Sequence, residues 1–258
     1  MKKILPILLI FIASNSSLSA QNTRLTDNNT IGWYNYFGTI KLDDKFDIHT
    51  EYQLRRDNLI TDKQQGLLRL GLNYQLHPKV QIRLGYAWIE TYPYGDININ
   101  SFGKDFTEHR AFQMVTLTDK ISILEVSHRF MLEQRWVGRY SNSGLSAEDE
   151  FPFLNRLRYM FRIQMPLKGK SIENKTPYLA IYDEILIGFG GNVNENIFDQ
   201  NRFGVLLGYK YNNSFRIEGG FLNQRKQLGR EVNNQNVFQN NSGIIVNTIF
   251  NFDLSKKK

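Results

Sequence analysis

The sequence predicts an all-β fold: a transmembrane, antiparallel, up-and-down β-barrel of about twelve strands, eleven of them clear. Three observations carry that prediction. Apolar and polar residues alternate with period two along almost the whole chain after residue 20, and successive side chains of a strand face opposite sides of a sheet. Short turns alternate with longer polar loops, the connection pattern of an outer-membrane barrel with periplasmic turns and extracellular loops. The composition, 13 Tyr, 18 Phe and only 6 Pro in 258 residues, favours strands over a disordered stalk.

The chain opens MKKILPILLIFIASNSSLSA. Two lysines precede an apolar run from Ile4 to Ile12 and a small polar stretch ending at Ala20, the order of a secretory signal peptide. Residues 1–20 are therefore expected to be removed, leaving 21–258 as one barrel domain. No later apolar run approaches the roughly 20 residues of a membrane helix, so a membrane location requires a barrel. There is no cysteine, which excludes a disulfide framework and a lipidated N-terminal Cys and suits a Gram-negative envelope protein. The formal charge of +7 falls to about +5 once Lys2 and Lys3 leave, and much of the remainder is Arg embedded in strand-like segments. A nucleic-acid footprint would cluster Lys and Arg on one loop or helix beside stacking aromatics, so nucleic acid is not an expected partner.

Strands are expected near 31–42, 46–56, 65–76, 80–88, 106–118, 122–137, 153–166, 177–189, 200–211, 215–227 and 242–254. In 65–76, Leu68, Leu70, Leu72, Tyr74 and Leu76 alternate with Leu67, Arg69, Gly71, Asn73 and Gln75. After the turn His77-Pro78-Lys79, the pattern returns as Val80, Ile82, Leu84, Tyr86 and Trp88 against Gln81, Arg83, Gly85 and Ala87. Short turns are read at 43–45, 77–79, 119–120 and 212–213, with 168–175 somewhat long for its slot. Long loops are read at 57–64, 93–105, 138–152, 189–199 and 228–241. Eleven alternating strands leave the N-terminus on the wrong side of the membrane, so Gln21 to Thr30 is expected to add a twelfth strand, or else to thread the lumen.

The polar rows favour Arg, Glu, Gln and Asn. A row facing bulk water would do as well with Lys, whereas Arg serves where several planar hydrogen bonds are made in confinement. The stretch SHRFMLEQRW (127–136) is thus read as lipid-facing on one side and ion-paired on the other. The expected lumen network is Glu51, Arg55, Arg69, Arg83, Glu108, Arg110, Arg129, Glu133, Arg135, Arg156, Arg158, Arg162, Glu184, Arg202, Arg216 and Glu218. Cross-strand pairing is expected to bring Glu133, Glu184 and Asp199 to Arg129, Arg158, Arg162 or Arg202. An interfacial aromatic girdle is read from Trp33, Tyr34, Tyr36, Trp88, Tyr92, Trp136, Tyr140, Tyr209 and Tyr211. Asp183 is the main misfit, since alternation aims it outward; a bulge near Asp183-Glu184 would turn it inward. Gln134 is a milder one.

Glu108-His109-Arg110 with Gln113, His128-Arg129 with Glu133-Gln134-Arg135, Arg156-Leu157-Arg158, Tyr182-Asp183-Glu184 and Phe198-Asp199-Gln200-Asn201-Arg202 form an ordered set. Together they resemble the strand motifs of the uncharacterised exported barrels grouped as domain of unknown function 2490. The resemblance runs from Trp33 to Phe252 and implies an outer-membrane barrel without an established activity. The chain departs from a terminal-aromatic barrel ending, continuing past Phe252 with DLSKKK, which displaces the signal read by the barrel-assembly machinery.

Enzyme chemistry finds little footing. An outer-face lipid hydrolase would place His and Ser two apart on one strand, but Ser127 and His128 are adjacent and face opposite sides. His49 lies beside Thr50, His109 has no near Ser, and His77 sits in a turn. Glu148-Asp149-Glu150 is an acidic loop run, read as solvated, with divalent-cation binding as the sharper alternative. No catalytic residue, metal site or cofactor is assigned. The expected function is a porin-like, narrow channel for a small solute, embedded among outer-membrane lipid and lipopolysaccharide. A structural or adhesive barrel binding through its loops is the alternative, and a lipid-modifying enzyme is the least supported.

Overall fold

The computed structural model describes residues 24–193 and 196–255; the expected signal peptide lies outside the described residues. Eleven strands form one sheet: β1 (Arg24–Lys41), β2 (Phe46–Asp57), β3 (Asp62–His77), β4 (Val80–Thr91), β5 (Phe106–Ile121), β6 (Leu124–Val137), β7 (Phe153–Pro166), β8 (Thr176–Phe189), β9 (Phe198–Lys210), β10 (Phe215–Val232) and β11 (Gln235–Asp253). Each pairs with the next in antiparallel fashion, and β1 pairs with β11 in parallel to close the barrel. The expected twelfth strand is therefore corrected. Arg24 to Thr30 is the first half of β1, paired in register with Asn236 to Ser242. With an odd number of alternating strands the first and last run the same way, so closure has to be parallel. That segment escaped the alternation because both its faces are polar: Asp27 and Asn29 point inward, Thr26 and Asn28 outward.

Two ends follow from this order. The loop end carries 58–61, 92–105, 138–152, 190–197 and the turn Asn233-Asn234, together with the start of β1. The turn end carries 42–45, 78–79, 122–123, 167–175 and 211–214. The long loops expected at 57–64 and 228–241 are instead tight hairpins. Asn233 and Asn234 have φ of 52° and 58°, as a two-residue type I′ turn requires, and β10 and β11 run up to it as a tall ribbon. Its polar inner and outer rows hid the strands.

The two faces differ as alternation requires. Outside, Leu68, Leu70 and Leu72 are 41%, 49% and 47% exposed and Leu207 63%, within a belt that includes Tyr86, Trp88, Phe130, Trp136 and Phe221. Inside, an apolar cluster of Ile31, Trp33, Tyr178, Ala180, Tyr182, Leu206, Leu222 and Ile245 fills the β8–β11 and β1 side. Trp33, expected in the outer girdle, is thus corrected to an interior residue. Tyr178 and Tyr182 lie flat over Gly208 and Gly204: a Cβ there would stand 2.2 Å and 2.3 Å from the rings, so glycine makes the room they occupy.

Asp183 stays outside. The register across Asp183 and Glu184 is continuous, and the β8–β9 irregularity lies at Leu186/Ile187 instead. No bulge turns it inward; Asn201 on the outer face of β9 donates to its carboxylate at 3.0 and 3.1 Å. Gln134 is satisfied by reciprocal amide bonds with Gln113, both 3.1 Å.

Candidate functional site: a lumen divided by an ion-pair lattice

The lattice is built where neighbouring strands place an acid opposite an arginine on the inner face. Glu133 on β6 pairs directly with Arg156 on β7. Its Oε2 accepts from Arg156 Nε at 2.7 Å, and its Oε1 from Arg158 Nη1 at 2.9 Å. Arg158 also donates to Glu184 at 2.7 Å, where Arg129 joins at 2.8 Å and Arg202 at 3.4 Å. Arg156 extends the chain to Asp199 at 2.6 Å. Glu108 is gripped by Arg110 and Arg135 at 2.6 and 2.5 Å, and Arg110 approaches Glu133 at 3.6 Å. Two smaller knots lie towards the turn end. Glu51 accepts from Arg69 at 2.7 Å and contacts His49 at 3.0 Å; Glu218 accepts from Arg162, Tyr178 and Asn247.

Burying a carboxylate costs several kcal/mol unless it is fully paired. Glu133, 1% exposed, meets that condition through three guanidinium groups. Asp199 pairs with Arg156, with Arg135 at 4.0 Å. Arg83 instead donates to Asn73 at 2.5 Å, and Arg216 lies beside Glu218 in the wall of the turn-side cavity. Arg55 is held by amides, with Gln53 and Gln65 accepting at 2.5 and 2.6 Å, and stacks over Trp33 at 3.7 Å, where a desolvated cation gains from the ring quadrupole.

Two cavities flank the lattice. The loop-side cavity holds about 400 Å³ and the turn-side cavity about 320 Å³, and Arg202 is the wall residue they share. Both walls carry more cations than acids. The loop-side wall has Arg55, Arg110, Arg135, Arg139, Arg156, Arg202, Lys226 and Arg230 against Glu108 and Asp199. The turn-side wall has Arg69, Arg83, Arg129, Arg158, Arg162, Arg202 and Arg216 against Glu51, Glu184 and Glu218.

The mouth at the loop end is covered by the chain itself. The 92–105 loop leaves β4 and reaches across to β1, β10 and β11. Buried Tyr94 donates to Gln239 at 2.8 Å and accepts from Asn241 at 3.2 Å. The backbone N–H groups of Asp96 and Ile97 each meet the Asp27 carboxylate at 3.4 Å, and Arg230 Nη2 donates to the Asn98 carbonyl at 2.6 Å. Burial pushes the Tyr94 hydroxyl up to about 12, so it is a neutral donor. Lys104 ties this loop to the next by donating to the carbonyls of Ser143 and Leu145. In that second loop Glu148 accepts from the Thr107 N–H at 2.6 Å. Asp149 accepts from Ser141 at 2.8 and 2.5 Å, a contact that lowers its carboxyl below the usual range. The acidic run thus cross-braces its own loop. Among the described residues no group of three or more His, Asp or Glu is arranged to hold a metal ion.

His128 contacts the Tyr159 hydroxyl at 2.8 Å and His109 that of Tyr86 at 2.5 Å, both on the outer face. Sequence reasoning missed Trp33, Tyr94, Asp27 and Lys226 as interior groups. Lys226 was legible by continuing the inward series from Arg216 and Glu218 in steps of two. Tyr94 was not, because a loop has no face.

The model of the family described as "Protein of unknown function (DUF2490)" matches residues 30–236, well over half of the chain. No curated protein and no solved structure matches it.

Proposed function

Starting from the fact that the chain belongs to that family of unknown function, we propose that it is an exported outer-membrane barrel that passes small anionic solutes through its arginine-lined lumen. The turns face the periplasm and the loops the outside. The exposed apolar belt, crossed by strands of 12 to 19 residues, supports insertion among outer-membrane lipid and lipopolysaccharide by the barrel-assembly machinery.

The observation that carries this reading is the pair of cation-rich cavities on either side of one waist, with Arg202 common to both. Cationic rings favour anions, and the lattice of Glu133, Glu184, Arg156 and Arg158 makes the pathway narrow. In planar bilayers the wild-type barrel is expected to show a small, anion-selective conductance. Arg202→Gln with Arg158→Gln is expected to enlarge the current and weaken the preference for chloride over potassium. Silence of both proteins, verified as folded by heat-modifiable gel mobility, would overturn the proposal, as would unchanged selectivity.

A further inference from the structure

The loop-side cavity combines cationic and apolar surface. Its deep wall is cationic, and two of the cations there form no ion pair among the described residues. Arg55 is 6% exposed, and its hydrogen bonds among the described residues go to Gln53 and Gln65. Lys226 lines the same space, and among the described residues neither cation has a carboxylate within ion-pair distance. The nearby acids are committed elsewhere, Asp199 to Arg156 and Glu108 to Arg110 and Arg135.

The wall towards the mouth keeps cations, Arg139 and Arg230, and adds apolar groups. Ile99 and Phe102 come from the 92–105 loop, Tyr140 from the 138–152 loop and Val193 from the β8–β9 loop. These loops add to the apolar surface that Phe106, Val137, Leu154 and Leu228 of the strands already present beside the guanidinium, carboxylate and amide groups. A hydrated inorganic ion gains nothing from such apolar surface, because its water shell cannot be replaced there. A molecule with an apolar body and one anionic end satisfies both kinds of surface. The cavity of about 400 Å³ falls within the roughly 300–1,000 Å³ of small-molecule sites.

We propose that the loop-side cavity is a binding site for a small amphiphilic organic anion, a carboxylate or phosphate monoester on a short apolar body. The anionic end meets the cationic wall to which Arg55 and Lys226 belong, and the body lies beneath Phe102 and Tyr140. This rests on the permeation reading for its route of entry and deepens it by naming the class of solute. Burial of the apolar body contributes affinity in proportion to area, while the cations of the deep wall select for negative charge.

The test uses the full mature chain in dodecyl maltoside, an uncharged detergent, titrated calorimetrically with octyl phosphate, octanoate, inorganic phosphate and octyl glucoside. Octyl phosphate or octanoate is expected to bind one per barrel and at least tenfold more tightly than inorganic phosphate, with no stoichiometric binding of octyl glucoside. Lys226→Gln is expected to weaken the amphiphiles at least tenfold. Phe102→Ser, in a loop outside the strands, should bring them close to inorganic phosphate while leaving phosphate itself unchanged. Equal binding of octyl glucoside, equal binding of inorganic phosphate, or indifference to Phe102→Ser would overturn the proposal. Anion-selective current without amphiphile binding would sink the site and leave permeation standing. Stoichiometric binding without current would support the site and sink permeation.

Discussion

On the β5–β8 side of the lumen the polar inward side chains are chiefly arginines and carboxylates paired with one another, whereas on the β10–β11–β1 side the polar ones are chiefly amides, set among the apolar cluster. Glu108, Glu133 and Glu184 collect six guanidinium groups between them. Across the parallel seam, Asn29 donates to Asn241 at 3.0 Å, Asn35 to Asn247 at 2.9 Å and Gln239 to Asp27 at 3.1 Å. All three rungs join directly opposed residues. An amide carries a donor and an acceptor, so like residues in register satisfy each other, as in stacked amide ladders. A guanidinium only donates and needs an acid supplied by a neighbour. The seam joins the two ends of the chain, where no hairpin sets the register, and rungs that match only in register perform that task.

Three comparisons would break or sharpen this contrast. The largest effect is expected from Glu133→Gln, which strips the carboxylate from Arg156 and Arg158; loss of one partner of a buried pair costs about 3–5 kcal/mol. Urea unfolding of the detergent-folded barrel reads this, and a shift below 1 kcal/mol would mean that lumen water screens the lattice. On the amide side, Asn35→Leu is expected to cost about 1–2 kcal/mol by leaving Asn247 partly unpaired. A double-mutant cycle with Asn247→Leu should give a coupling on the order of 1 kcal/mol; zero coupling would show that the rung does not hold the seam. The smallest change is expected from Asn28→Ala, which removes the exposed outer rung to Asn240 at 3.2 Å and should stay within about 0.5 kcal/mol. A larger loss would place the seam's strength on its outer face.

The arginine and glutamate rows could be read from the chain because strand periodicity assigns every second residue to one face whatever the partner. Arg69, Glu108, Glu133 and Arg156 needed only that rule to be placed inside. The rule failed where both faces are polar, at Arg24–Thr30 and along Gly229–Asn241, and strands there read as loops. It misplaced Trp33 because an aromatic near a strand end suits either an interface or a cation–π stack, and only the position of Arg55 decides which. Asp183 was placed outward by periodicity, and the structure keeps it there; the partner that makes this tolerable, Asn201, comes from the next strand.

Alternation and hairpin turns, which are local, determined the all-β class, the closed wall and the identity of most inward side chains. Strand number, parallel closure, the folding of the 92–105 loop over the mouth and the division of the lumen at Arg202 were decided only by the tertiary structure. Each of these depends on residues far apart in the chain meeting across the barrel: Asn35 with Asn247, Tyr94 with Gln239, Arg129 with Glu184. A period of two specifies which face a residue occupies and carries no information about what stands opposite.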